Sequence, residues 1–176
     1  MKISPVFILV FILTTVLARQ AGAVKPAGFL GLSVGRYDIF HRDDGQSADF
    51  RVEYRPDLPL FIKAFKPWAG LELTPDGTLW AGGGLLADIR LTDHVFLTPG
   101  FGAGYYNQGQ NHLDLGFPLL FRSQLELGYQ LDSGERIALS FSHLSHCGLG
   151  DDNPGVEIVN LSYLIPLDRL FSGLSL

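Results

Sequence analysis

The stretch ADFRVEYR, residues 48–55, alternates strictly along its length. Its even positions read A, F, V and Y, and its odd positions read D, R, E and R, so every second side chain is charged. Successive side chains of a β-strand point to opposite faces of the sheet. The stretch therefore predicts a strand with one apolar face and one fully charged face.

The rest of the chain repeats this alternation in short segments separated by Gly, Pro, Asn and Asp. An even number of strands with short connections is what a closed up-and-down membrane barrel requires. We therefore predict an all-β fold, an eight-stranded antiparallel up-and-down transmembrane β-barrel. The predicted strands are residues 28–40, 48–55, 61–74, 78–91, 95–106, 117–131, 136–146 and 156–167.

The N-terminal residues 1–23 predict export. They combine Lys2, an apolar run and the small-residue ending AGA, a pattern typical of a secretory signal peptide. We expect residues 24–176 to form a single β-barrel domain, since no later apolar run reaches the roughly 20 residues of a transmembrane helix. The single cysteine, Cys147, excludes an intramolecular disulfide, and the net charge of −5 argues against a nucleic-acid partner.

Alternation alone does not say which face lies inside the barrel. In a small membrane barrel the charged faces of residues 49–55 and 122–126 point inward and pair, whereas a soluble lipocalin-like barrel reverses the assignment. Charged residues are only 18% of the chain, and it holds 21 glycines. This composition favours the membrane arrangement, in which we expect Trp68 and Trp80 at a membrane interface.

Polar residues interrupt the apolar faces of the last two predicted strands at one end only. The odd positions of residues 136–146 and 156–167 become polar beside the connecting loop, at His143, Ser145 and Glu157. Residues i and i+2 share a face of a strand, and the loop returns the second strand alongside the first. We expect these three side chains to meet on the outer wall.

These residue types in this arrangement predict a hydrolytic site. A serine hydroxyl becomes a nucleophile when an adjacent base takes its proton, and a carboxylate orients an imidazole base. His143 would be the base, Ser145 the nucleophile and Glu157 the orienting acid. A His-x-Ser pair in a strand is more often only a packed or solvated polar pair. The alternative is therefore a non-enzymatic eight-stranded outer-membrane barrel with an envelope or adhesion role.

The C-terminal part of the chain contains the short motifs HLS at residues 143–145, GL at 148–149 and NPGVE at 153–157. With these motifs and the same serine-to-glutamate spacing, it resembles the PagL family of outer-membrane lipid A 3-O-deacylases. The resemblance implies a bacterial outer-membrane barrel that removes the ester-linked 3-hydroxyacyl chain from position 3 of lipid A. It implies no cofactor and no metal, with lipid A or lipopolysaccharide as the partner, and it allows a homodimer.

The resemblance also implies an oxyanion hole after the serine. Gly148 matches the family glycine whose backbone N–H is one proposed donor. The family's other proposed donor is the side chain of an asparagine directly after the serine, and this chain has His146 there. We expect the His146 ring to donate instead, if it is suitably oriented.

Overall fold

The computed structural model describes residues 28–40, 45–60 and 64–172. The signal peptide expected at residues 1–23 lies outside these ranges and stays a prediction. The long strands are β1 (Gly28–Tyr37), β2 (Ser47–Pro56), β3 (Phe65–Leu73) and β4 (Leu79–Ala87), followed after a two-residue strand, β5 (Ile89–Arg90), by β6 (Val95–Asn107), β7 (Leu119–Gln130), β8 (Arg136–Ser145) and β9 (Val156–Pro166). A short helix, α1 (Leu167–Ser172), follows the last strand.

The long strands form one closed sheet. Their order is β4-β3-β2-β1-β9-β8-β7-β6, and every neighbouring pair is antiparallel. The remaining pairing joins β4 to β6 and closes the sheet. The predicted eight-stranded up-and-down barrel is confirmed.

The structure corrects two details of the predicted strands. The predicted strand of residues 78–91 divides at Asp88, whose carboxylate binds Lys66 and Arg136, and only Ile89 and Arg90 resume pairing as β5. The predicted strand of residues 156–167 ends at Pro166, and the chain turns directly into α1. Neither β5 nor α1 was predicted.

The outer face of the barrel is apolar on every long strand. One exposed representative from each strand in chain order is Val34, Phe50, Leu71, Leu85, Phe101, Leu125, Leu139 and Leu161. The odd positions of β8 and β9 belong to this outer face, which excludes the lipocalin-like arrangement. Among the described residues, no helix has the length and apolar character to cross a bilayer.

The charged faces point inward and pair, as predicted. Arg51 donates to Glu72 through Nε (2.7 Å) and to Gln124 through a guanidinium nitrogen (2.7 Å). Arg55 binds Glu126 with two hydrogen bonds of 2.7 and 2.9 Å and also binds Glu53. Because these groups are withdrawn from water, pairing offsets a desolvation cost that would otherwise oppose folding.

The prediction that Trp68 and Trp80 lie at a membrane interface is wrong. Both are buried inside the barrel, at 5% and 1% exposure, with ring centroids 5.8 Å apart. The guanidinium carbon of Arg122 lies 4.2 Å from the Trp68 ring centroid and 4.6 Å from that of Trp80. Cation–π attraction of this kind is strongest when water is excluded.

Glycines on the facing strands make room for these rings. A Cβ added to Gly102 would stand 2.6 Å from the Trp68 ring, and one added to Gly104 would stand 2.6 Å from the Trp80 ring. The same strands come close at Gly84, where an added Cβ would lie 2.0 Å from the Phe101 carbonyl oxygen. The glycine-rich segments of β4 and β6 are therefore sites of close approach.

The two ends of the barrel differ. At one end the described connecting residues are 57–60, 88–94 and 131–135, together with α1. At the other end the loops pack on one another, and Asn111 links two of them by donating to the Gly45 carbonyl oxygen (3.1 Å) and to Asp76 (2.6 Å). The loop between β8 and β9, residues 146–155, lies at this second end and carries the candidate site.

Candidate active site

The register of β8 and β9 brings two of the predicted site residues into direct contact. His143 and Glu157 are Cα partners across the antiparallel pair. His143 Nδ1 lies 3.0 Å from Glu157 Oε1. An ionised carboxylate only accepts hydrogen bonds, so Nδ1 carries a proton, and in the neutral imidazole Nε2 keeps its lone pair. The predicted contact between these two residues is present.

The pair is open to the outside of the barrel wall. The His143 side chain is 39% exposed and the Glu157 side chain 22% exposed. They sit at the loop end of an outward face that is otherwise apolar, with Phe141 as the preceding outward residue of β8. A molecule lying in the surrounding apolar phase can therefore reach the imidazole laterally.

Gly155 fixes the space that the imidazole occupies. Its φ is +65°, a left-handed conformation that favours glycine. A Cβ at this position would stand 2.6 Å from His143 Cε1 and 3.3 Å from Nε2. Glycine is therefore required at position 155 for two reasons. It allows the left-handed backbone turn into β9, and it leaves space for the His143 imidazole.

Ser145 follows His143 by two residues and lies at the end of β8. Its side chain is largely buried, with 6% of the residue exposed. Its Oγ lies 3.8 Å from Cys147 Sγ, and within the described ranges no hydrogen bond joins it to His143. The structure thus pairs His143 with Glu157 and turns the serine hydroxyl toward Cys147.

Cys147 and Gly148 form a tight turn directly after the serine. Their φ angles are +53° and +81°, and the Leu149 N–H donates to the His146 carbonyl oxygen across the turn (3.1 Å). Nothing lies within 4 Å of the position that a Gly148 Cβ would occupy. Gly148 consequently borders open space on the side where a Cβ would stand.

The ring of His146 is buried and bonded on both sides. Its Nδ1 accepts from the Gly150 N–H at 3.2 Å, so Nε2 carries the proton and donates to the Asp152 carbonyl oxygen. Its backbone N–H donates to Asn153 Oδ1 at 3.1 Å. In this arrangement the ring closes the loop on itself, and the oxyanion role expected for it stays a prediction.

Sequence reasoning missed Ser123 as a neighbour of this site. Ser123 lies on β7 and is the Cα partner of His143 on the side opposite Glu157. The signal was present, because Ser123 is the one small polar residue among the outward residues Phe121, Leu125, Leu127 and Tyr129. The register that places it beside His143 could not be read from the sequence.

Comparison with known proteins gives the family. The family model described as "Lipid A 3-O-deacylase (PagL)" matches residues 62–166, more than half of the chain. The chain belongs to this family. The matched range includes the β8–β9 hairpin.

A curated relative points the same way. The chain is 29% identical over 113 residues to the lipid A deacylase PagL of Bordetella bronchiseptica, in a match covering 54% of this chain and 63% of that protein. The match thus spans less than two thirds of the length of that PagL protein.

Two solved structures share the barrel. The crystal structure of the outer membrane enzyme PagL superposes with a TM-score of 0.60 at 19% identity, covering 78% of this chain and 99% of the other. A de novo designed transmembrane β-barrel superposes with a TM-score of 0.52 at 10% identity, covering 81% and 98%. At these identities the two likenesses concern the fold alone.

Proposed function

We propose that this PagL-family protein is a lipid A 3-O-deacylase of the bacterial outer membrane. It is a serine esterase that hydrolyses the ester-linked 3-hydroxyacyl chain at position 3 of lipid A. The observation that carries the proposal is the His143–Glu157 hydrogen bond of 3.0 Å, exposed on an apolar outer wall two residues from Ser145. Because the imidazole faces outward on this wall, it is accessible to a substrate in the membrane and not to one inside the barrel.

His143 acts as the general base. Its Nδ1–H is held by Glu157, so Nε2 is free to take the proton of Ser145 as the serine oxygen attacks the ester carbonyl. Collapse of the tetrahedral intermediate breaks the bond to the sugar oxygen, and the imidazolium returns its proton to that oxygen. Water then attacks the acyl-serine by the same route and releases the 3-hydroxy fatty acid.

Ser145 must turn its hydroxyl from Cys147 to His143 during this cycle. Serine side chains occupy three staggered positions about the Cα–Cβ bond. Hydrogen bonds between catalytic groups are often long without substrate and tighten when it binds. The 3.8 Å contact between Ser145 Oγ and Cys147 Sγ is therefore the resting arrangement in this account.

The negative charge of the intermediate is held by the turn after the serine. The Gly148 N–H is one donor, since Gly148 lies in the tight turn three residues after Ser145 and has open space on its Cβ side. The His146 ring is the second donor only if Nε2–H exchanges the Asp152 carbonyl oxygen for the oxyanion. If the ring stays in place, its part is to hold the turn through Gly150 and Asp152.

Substrate reaches the site from the membrane. The apolar outer wall contacts the acyl chains of lipid A, and the packed loops at the site's end of the barrel lie on the outer side. All proposed catalytic groups belong to one hairpin of one chain, so the reaction needs no second copy even if the barrel forms a homodimer.

Release of 3-hydroxy fatty acid from purified lipid A tests the proposal. The refolded protein in detergent should release it, and Ser145→Ala and His143→Ala should reduce release to the background. Glu157→Gln should lower the rate by roughly 10²- to 10⁴-fold, as expected for loss of an orienting carboxylate. Cys147→Ala is the matched control, because it removes the contact of the serine but no proposed catalytic group.

Full activity of Ser145→Ala, or loss of activity in Cys147→Ala alone, would contradict the assignment of the nucleophile. Each variant should retain the shift in electrophoretic mobility on heating that reports a folded barrel.

A further inference from the structure

Ser123 places a hydroxyl on the outer wall directly beside the proposed base. It is exposed, it faces outward on β7, and its Cα partner on β8 is His143. Directly opposed residues of neighbouring strands have Cβ atoms about 4.5–5.5 Å apart. Ser123, His143 and Glu157 therefore form one polar row across three strands at a single level of the barrel.

The surroundings of Ser123 make this hydroxyl unusual. The neighbouring outward residues on β7 are Phe121 and Leu125. On the adjacent strand β6, the residue paired with Ser123 is Phe101. In the part of the chain that the structure describes, the Ser123 hydroxyl has no hydrogen-bond partner. An unpaired hydroxyl facing an apolar phase carries a desolvation cost, so a partner from outside the chain would stabilise it.

The level of Ser123 on the wall points to one part of the substrate. It lies level with His143, which is two residues, or about 6.7 Å, farther from the loops than Ser145. An acyl chain whose carbonyl carbon is attacked by Ser145 continues from there toward the hydrocarbon. The hydroxyl on the third carbon of that chain consequently lies on the Ser123 side of the carbonyl.

We propose that Ser123 determines specificity by hydrogen bonding to the 3-hydroxyl of the departing acyl chain. Through this contact the enzyme selects 3-hydroxyacyl esters over unsubstituted acyl esters. The inference rests on the proposed esterase activity. Ser123 takes no part in proton transfer. It therefore affects the relative rates on hydroxylated and unsubstituted acyl esters, and not the acyl-transfer steps that are common to both.

The test uses two synthetic glucosamine lipids that differ only in the 3-O-acyl group, one 3-hydroxymyristoyl and the other myristoyl. The ratio of kcat/KM for the two esters is measured for the wild-type protein, Ser123→Ala and Ser123→Thr. Leu125→Ala is the matched control, since it shortens the next outward side chain of β7 without removing a hydroxyl. Heat-modifiable mobility confirms that each variant is folded.

We expect the wild-type protein to prefer the hydroxylated ester by about fivefold, the worth of one neutral hydrogen bond. Ser123→Ala should abolish this preference by slowing the hydroxylated ester alone, and Ser123→Thr should keep it. Leu125→Ala should change both esters alike.

An unchanged ratio in Ser123→Ala, or an equal loss on both esters, would overturn the role of Ser123 while leaving the esterase in place. Equal rates of the wild-type protein on the two esters would do the same. If the wild-type protein cleaves neither ester, the proposed function fails, and the inference fails with it.

Discussion

At the scale of single residues, the proposed site depends on how His143 is held. Glu157 binds its Nδ1 at 3.0 Å on one side. Gly155 leaves the space that its Cε1 and Nε2 occupy on another side. An imidazole that is oriented by one neighbour and confined by another needs little reorganisation before it takes a proton.

Gly155→Ala should therefore disable the site. The added methyl would stand 2.6 Å from His143 Cε1, and displacement of a catalytic group by about 1 Å can lower a rate about 10²-fold. We expect a loss of that size in the release of 3-hydroxy fatty acid from lipid A.

Gly134→Ala is the matched control for Gly155→Ala. It introduces the same left-handed strain, at φ +99°, but at the opposite end of the barrel and with no atom closer than 3.7 Å. Equal activity of the two alanine variants would contradict the steric role of Gly155.

The residues of the site were predictable in part. The two-residue period of a strand places His143 and Ser145 on one face, and the turn-rich segment after them returns Glu157 to that face. The side-chain position of Ser145 and the closed hydrogen bonding of His146 were not predictable, because both depend on the conformation of the turn. Ser123 was overlooked because pairing across β7 and β8 requires a register that the sequence does not state.

At the scale of elements, the glycines of β4 and β6 are explained by the tryptophan rings packed inside the barrel. Their inward positions include glycines that face the rings of Trp68 and Trp80. The inward direction of the tryptophans was mispredicted, since tryptophan also suits a membrane interface. A signal was available, because Trp80 shares its face of β4 with Gly82 and Gly84, and Trp68 shares its face of β3 with the charged Glu72.

Gly102→Val should destabilise the barrel through this packing. A Cβ there already meets the Trp68 ring and the Gly83 carbonyl oxygen at 2.6 Å, so the larger side chain overpacks the interior by about 1–3 kcal/mol or more. The urea midpoint of unfolding, followed by tryptophan fluorescence, measures the loss. Ala103→Val is the control, since Ala103 faces outward on the same strand; an equal loss there would argue against the interior contact.

The number and topology of the strands were predicted correctly, whereas the residues at which the strands end were harder to predict. Alternation defined the eight long strands because one face of each contacts an apolar phase and the other a polar interior. The break at Asp88 arises from its ion pairs with Lys66 and Arg136, which join distant parts of the chain. Contacts between residues that are distant in the sequence cannot be inferred from the local alternation of polar and apolar residues.

At the scale of the whole molecule, the barrel interior is an ion-pair network. Three buried arginines, Arg51, Arg55 and Arg122, lie there with the buried carboxyl groups of Glu53, Glu72 and Glu126, and Asp49 is buried on the same face of β2. Arg122 binds both Glu53 and Glu72 and lies over the two tryptophans, so it connects β2, β3 and β7 across the barrel.

Arg122→Met should lower the free energy of unfolding by about 3 kcal/mol, because removing one partner leaves buried negative charge in excess. The urea midpoint of the purified barrel measures the effect. Adding Glu53→Gln should recover part of the loss by removing a negative charge that Arg122 no longer neutralises. If the double variant is no more stable than the single one, unpaired negative charge is not the cause.

The central claim is that the Ser145, His143 and Glu157 constellation on the outer wall deacylates lipid A in the membrane. Mass spectrometry of lipid A from bacterial cells that express the protein tests it most directly. We expect a new lipid A species lighter by one 3-hydroxyacyl chain, lost from position 3, in cells with the wild-type protein and absent in cells with an equal amount of folded Ser145→Ala. Lipid A that is unchanged by the wild-type protein, or changed equally by Ser145→Ala, would contradict it.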